Sequence, residues 1–349
     1  MINQENAQEK TFGIEIETSI PQSLQISIGS HGRGLPIRSV TTSDGVVHVA
    51  PTFNGECWKA DEDPSIRTQN GYKKCEFVSP ILKGDAGIQN ILAFLAFIKA
   101  IGGKRPIRQA GQTQGGIHVT LHAGNFIDSN SPAKIVDFCE SVAKLGYRLS
   151  PVLFGQNAER RDLSGWCRVL SSREQDRAIR NSKADLRQSP SHTSSGALRV
   201  PFIDIGKYAL INFTKIKTNG TFEFRSFSTT LNPTKVLVIL TTCLAIAQQA
   251  SKRKTSGWSE EQINSSELFR FFWSRSARRD VTNAYPTLKA RAKVQFDWGF
   301  ASCLHFDRLR SQNYEVPAIP TEGRNTDSAV ALFNSPSFRT HIAGATRSN

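Results

Sequence analysis

The sequence predicts an α+β fold built on an antiparallel sheet. Three observations carry this. Segments 11–18, 116–122 and 221–228 alternate apolar and polar residues with period two, as half-buried strands do. Helical signals fall at 87–101, 131–146 and 233–250. Strands and helices are mixed without the strict βαβ alternation of a parallel sheet.

The elements follow in order along the chain. In 11–18, Phe12, Ile14 and Ile16 share one face, while Gly13, Glu15 and Glu17 share the other. Segment 21–70 is rich in turns, with a short β stretch at 45–51 and a hairpin strand at 56–66 that runs into an acidic turn. Segment 73–81 is a strand ended by Pro80, with Cys75 and Phe77 opposed to Lys74, Glu76 and Val78. The next helix runs from Gly87 to about Ile101 and stops at Gly102-Gly103. Segment 115–124 is a strand between glycines, with Ile117, Val119 and Leu121 opposed to His118, Thr120 and His122.

The helix at 131–146 has Ser131 as N-cap, Pro132 at its first position and an apolar stripe of Ile135, Phe138, Val142 and Leu145. Segment 171–199 is Ser-rich and basic, helical in its first half and a loop in its second, and its basic stretch 173–187 reads as a solvated face or a mobile lid. Two strands, 207–213 and 221–228, flank a Thr218-Asn219-Gly220 turn. In the second, Phe222 and Phe224 oppose Glu223, Arg225 and Phe227. Asn232-Pro233 opens a long helix to about Ala250, and 255–349 is a helical region with an aromatic cluster at 269–274 and a polar tail.

At 349 residues the chain can bury a large core. The apolar runs 91–98 and 235–247 are short for a membrane span and read as buried core helices. The first ten residues have no apolar run, which argues against a secretory signal. Six scattered cysteines without a CxxC pair fit reduced thiols and a cytoplasmic location. A net charge of +14 favours anionic partners without choosing among nucleotides, polyanions and nucleic acid. No zinc-finger pattern or basic–aromatic nucleic-acid module is present.

Each key strand buries one face and presents acids on the other. Glu15 and Glu17 alone would be a solvated sheet face. Set beside Glu76, His118, Glu223 and Arg225 on the same sheet, they call for cations. Carboxylates with an imidazole suit Mg²⁺ or Mn²⁺, and Arg225 could clamp a phosphate. The plain alternatives are ion pairs: Lys74 with Glu76, and Arg225 with Glu223.

The ordered motifs GIEIE, W-x(4)-D-x-S-I, CEFVSP, GGIHVTLH and GTFEFRSF over residues 11–250 resemble the amidoligase family. That family is related to glutamine synthetase and the glutamate–cysteine ligases. The resemblance implies a curved antiparallel sheet with helices on its convex face, as in the glutamine synthetase catalytic domain. It implies a catalytic domain over 1–254, with an insert or lid at 171–199, and a helical extension over 255–349. By the same resemblance Glu15 and Glu17 are divided between two ions; Glu76 serves one, His118 and Glu223 the other, and Arg225 meets the transferred phosphate. Asp63 orients the amine, and Arg161 and His122 are candidate nucleotide contacts. Two departures are visible: Thr120 stands where a second histidine is often found, and Pro64 where the turn usually has glycine.

The implied activity is ATP-dependent ligation of a carboxylate to an amine with Mg²⁺ or Mn²⁺, through an acyl phosphate. The amine donor is an amino acid, a peptide or a protein, no membrane partner is expected, and oligomerisation stays open. Two alternatives stand beside it: a basic nucleic-acid-associated protein on a degenerate ligase fold, and a phosphotransferase of the guanidino-kinase type.

Overall fold

In a computed structural model of the chain, the described residues are 10–109, 112–113, 115–127, 131–157, 167, 169, 173–174, 176–181, 208–252 and 264–311. Their centre is an eight-stranded sheet. Its strands are β1 (Thr11–Pro21), β2 (Leu35–Pro36), β3 (Lys59–Asp61), β4 (Tyr72–Val78), β5 (Leu82–Lys83), β6 (Gly116–His122), β7 (Ile211–Asn212) and β8 (Thr221–Ser228). The order is β7-β8-β6-β1-β4-β3-β2, with β5 pairing the start of β1, and every pairing is antiparallel.

The period-two reading of β1 holds at the level of packing. Phe12, Ile14 and Ile16 are buried in one core with Phe77, Val119, Leu121, Phe222 and Phe224 from the neighbouring strands. One face of the sheet is therefore greasy across four central strands, and helices cover it. Helix α1 (Gly84–Ala100) lays Phe94 flat on Trp58, with ring centroids 3.7 Å apart, and against the edge of Phe77. Trp58 donates its indole N–H to Asn90 of the same helix at 2.8 Å. A β-carbon at Gly87 would lie 2.9 Å from Leu82 Cβ, so only glycine lets α1 sit this close to the sheet. Beyond the helix, Gly102 takes φ +77°, as the double-glycine stop predicts.

Helix α2 (Pro132–Arg148) brings Phe138 edge-on to Phe222, and α3 (Ser150–Gly155) follows it. Helix α4 (Pro233–Lys252) is long and apolar enough to cross a membrane, but most of it is buried inside the fold. The C-terminal helices α5 (Ser265–Trp273), α6 (Ser276–Ala284), α7 (Pro286–Ala290) and α8 (Ala292–Ser311) join the same core through Phe269, Tyr285, Leu288 and Phe300. They are tied to α1 as well: Asp85 accepts hydrogen bonds from the Thr287 amide at 2.9 Å and from its hydroxyl at 2.7 Å.

Two local expectations change. The strand expected over 207–213 is reduced, within the described residues, to Ile211–Asn212, because the chain then winds into one helical turn, Ile216–Asn219. Phe227 does not stand with Glu223 and Arg225. The register of β8 against β6 shifts between Ile117 and Val119, so Phe227 pairs with Ile117 and is fully buried on the apolar face. A bulge inserts one residue and reverses the alternation beyond it.

Phe94 anchors this side of the core. Phe94→Ala should cost about 3–5 kcal/mol of stability in denaturant unfolding. A cost under about 1 kcal/mol, the level of an exposed change, would show that the stack does not hold α1 to the sheet.

Candidate functional site

The face opposite the helices carries the acids. Register, not proximity in sequence, brings them together. Across β1 and β6, Glu15 lies opposite His118. Across β1 and β4, Glu17 lies opposite Glu76, and across β4 and β3, Glu76 lies opposite Asp61. Across β6 and β8, Thr120 lies opposite Glu223.

His118 is the hub. Its Nδ1 is 3.1 Å from Glu15 Oε2 and 3.2 Å from Glu223 Oε1, and its Nε2 is 3.5 Å from Glu17 Oε1. Burial and the Arg225 guanidinium pull the imidazole pKa down, but Glu17, Glu15 and Glu223 outweigh them and hold it above its ordinary value. Glu15 moves the other way. Burial would raise its pKa, yet the hydrogen bond and charge of His118, aided by Lys215 and Arg225, keep it below the usual range.

The carboxylates are held by backbone and polar neighbours. Glu17 Oε2 accepts the Gly116 amide at 2.5 Å, and the Thr229 hydroxyl fixes the Glu17 carbonyl at 2.6 Å. Glu223 Oε2 accepts from Asn212 Nδ2 at 3.1 Å, and Asn212 is itself set by the Thr214 amide at 2.9 Å. Arg225 donates to Glu223 Oε1 at 2.6 Å, while its Nε is buried without a hydrogen-bond partner.

Glu76 differs from the rest. It is buried, and among the described residues its carboxylate has no hydrogen bond or ion pair. Burial first, and then the charge of Glu15, push its pKa up to about 8. Lys74, the neighbour that could have neutralised it, donates instead to the Pro64 carbonyl at 2.8 Å. A buried carboxylate left this way is costly unless a cation meets it.

The donor set fits a hard divalent ion. Ligand atoms of Glu15, Glu76 and His118 all lie within 4.8 Å of one another, and oxygen donors with one imidazole suit Mg²⁺ or Mn²⁺. Glu15, Glu17, Glu76, His118, Glu223 and Arg225 thus fall on one patch of the sheet. Asp63 lies at its margin, in the turn after β3, where its Oδ1 accepts the Ser65 amide at 2.7 Å.

His122 is placed elsewhere. It is exposed at the end of β6, accepts the Gly124 amide at 3.1 Å, and lies against Gly220, where a β-carbon would approach its Nε2 to 2.7 Å. Arg161 and most of segment 171–199 lie outside the described residues.

Sequence reasoning missed Asp61, Asn212, Lys215 and His31. Asp61 had a signal, since it sits two residues before Asp63 on the same alternation. Asn212 had a weaker one, as a polar residue inside an apolar run. Lys215 and His31 had none.

Comparison with known proteins gives a family match. The family model described as "Putative amidoligase enzyme" matches residues 8–247. No curated protein matches the chain. Among solved structures, a bifunctional glutathione synthetase from Pasteurella multocida is similar at TM-score 0.40 and 11% identity, over 89% of this chain and 51% of that one. The complex of the prokaryotic ubiquitin-like protein Pup with its ligase PafA gives 0.37 and 10%, over 90% and 68%. Plasmodium falciparum glutamine synthetase gives 0.35 and 12%, over 91% and 75%. The chain spans about half the length of the first of these.

Proposed function

Because the chain belongs to the putative amidoligase enzyme family, we propose that it is an ATP-dependent ligase that joins a carboxylate to an amine through an acyl phosphate. The observation that carries this reading is the meeting of Glu15, Glu17, Glu76 and Glu223 around buried His118. On this reading the catalytic unit is 1–254, and 255–349 is an extension to it.

Glu15, Glu17, Glu76, His118 and Glu223 would hold the divalent ions. Bound Mg²⁺ or Mn²⁺ would neutralise charge on the transferring phosphoryl group. Arg225 has a buried Nε without a partner, so it retains a donor for a phosphate oxygen. Asp63, beside the acid patch, is positioned to take the proton that an ammonium donor must lose before it attacks. The carboxylate would come from a small acid or a side chain, and the amine from an amino acid, peptide or protein.

The direct test incubates the protein with Mg²⁺, ATP and a panel of carboxylates and amines, with ADP release and product mass as readouts. An amide with stoichiometric ADP and phosphate is expected. A stable phosphorylated product would point to a phosphotransferase instead. Salt-sensitive nucleic-acid retention without metal-dependent nucleotide binding would point to the basic surface as the working part.

Cation binding should depend on pH in a set direction. Glu76 must be ionised and His118 neutral to act as ligands, and both pKa values are raised, that of Glu76 to about 8. Affinity for Mn²⁺ should therefore climb from about pH 6 to about pH 8.5, with protons released on binding. Calorimetry in buffers of different ionisation enthalpy measures that release. Flat affinity with no released proton would remove Glu76 and His118 from the ligand set.

A further inference from the structure

Away from the acid face, the C-terminal helices gather positive charge around an exposed phenylalanine. We propose that the turn between α5 and α6 binds single-stranded nucleic acid, with Phe271 as a base-stacking platform and Arg270, Arg275 and Arg279 as phosphate contacts. Residues 264–311 hold nine Lys and Arg against four Asp and Glu. Two of those acids are committed elsewhere. Asp280 pairs with Lys252, and Asp307 accepts the Ser265 amide at 2.7 Å and the Ser266 amide at 2.9 Å. Arg270, Arg275 and Arg279 are exposed, and among the described residues none of them is in an ion pair.

Charge alone would make only a solvated face. The independent observation is how the guanidinium groups are held. Arg275 lies over the Phe271 ring at 3.7 Å, Arg270 over Phe300 of α8 at 5.0 Å, and Arg278 over Trp273 at 5.1 Å. Arg278 also donates its Nε–H to the Trp273 carbonyl at 2.6 Å, which satisfies the end of α5. Folding thus lays guanidinium groups on rings drawn from both α5 and α8, an arrangement that no short tract of the sequence displays. A flat, weakly hydrated guanidinium keeps its face on a ring while its N–H fork meets phosphate oxygens.

Phe271 decides the partner. Phe269, Phe272 and Trp273 of the same helix are buried, whereas Phe271 is 55% exposed even with Arg275 over it. An acidic peptide would use the charge and leave that ring without a role. A membrane surface would need a broader apolar face. A nucleotide offers a base for the ring and a phosphate for each guanidinium, and an unpaired strand leaves its bases free to stack on a side chain. The net charge of +14 adds long-range attraction for such a polyanion. The inference stands apart from the ligase reading, because none of these residues belongs to the acid face.

Fluorescence anisotropy of the full chain with a labelled oligothymidylate of about 20 nucleotides, titrated across salt, tests this. The wild type should bind with a Kd of about 1–100 µM near about 0.15 M salt. The triple variant Arg270→Gln, Arg275→Gln, Arg279→Gln keeps the side-chain stems over their rings. It should reduce the slope of log affinity against log salt by about 2, since each phosphate contact on a single strand contributes about 0.7. Phe271→Ala keeps every charge, so it should leave the slope in place and weaken binding about fivefold or more, and Phe271→Trp should restore it. A thermal melt checks folding, and all four positions are exposed. No binding by the wild type, or an unchanged slope in the triple variant, overturns the proposal. So does a Phe271→Ala variant that binds within about twofold of the wild type. Polyglutamate that competes as well as the oligonucleotide at equal charge overturns it too, because the surface would then be a general polyanion face.

Discussion

Under the proposed ligase reading, Glu17→Gln will leave the protein folded and lower turnover about 1,000-fold or more, the loss of several kcal/mol of charge stabilisation. The substitution keeps shape and removes charge. Glu17 Oε2 accepts the Gly116 amide at 2.5 Å, and an amide oxygen can accept the same bond. The Thr229 hydroxyl holds the Glu17 backbone carbonyl, which the substitution does not touch. What changes is Oε1, which faces His118 Nε2 at 3.5 Å. There a neutral NH₂ replaces half of a carboxylate and cannot ligate a cation. ADP release and a thermal melt, taken together, separate the outcomes. Full turnover would remove Glu17 from the cation site, whereas lost cooperativity in the melt would make it a structural residue.

The acids of this site were legible because the residues immediately around each of them alternate with period two. Glu15, Glu17, Glu76, His118 and Glu223 each follow or precede a buried apolar residue on a clean alternation, so their face could be assigned residue by residue. Their partners could not. That Glu15 meets His118, and Glu17 meets Glu76, depends on inter-strand register, which turns and bulges set at a distance from the motifs. Phe227 shows the cost of assuming an unbroken strand: one shifted pairing beside Ile117 carries it into the core.

The helices were legible through their stops and caps, Gly102 at the end of α1 and Asn232-Pro233 at the start of α4, where Asn232 Oδ1 accepts the Lys235 amide at 3.2 Å. Ser131 was placed correctly at a helix start but makes no side-chain capping bond. Proline at the first helical position and tertiary packing hold that end without it. His31 gave no signal because a histidine among glycines has no period. Only the docking of its loop on β3 brings it to Glu76.

Glu76→Gln should do two opposite things: abolish the activity and stabilise the cation-free protein at high pH. In the unfolded chain Glu76 ionises near 4.5, whereas in the fold its pKa is raised to about 8. Between those values the folded state holds a proton that the unfolded state has lost. The stabilisation linked to that proton is complete below the unfolded pKa and drains away as pH rises through the folded one. A tenfold change in proton affinity corresponds to about 1.4 kcal/mol, and sharing of charge with Glu15 and His118 discounts the total to about 1–3 kcal/mol. Glutamine never ionises, so the variant escapes this loss. In a chelator at about pH 8.5 it should melt about 2–5 °C above the wild type, and at about pH 4.5 the two should nearly coincide. Saturating Mn²⁺ should reverse the order, because the wild type, with its full ligand set, gains more binding free energy than the variant. A variant less stable than the wild type in chelator at high pH would mean that Glu76 is satisfied by the protein itself, and the case for a cation beside it would lose its electrostatic cause.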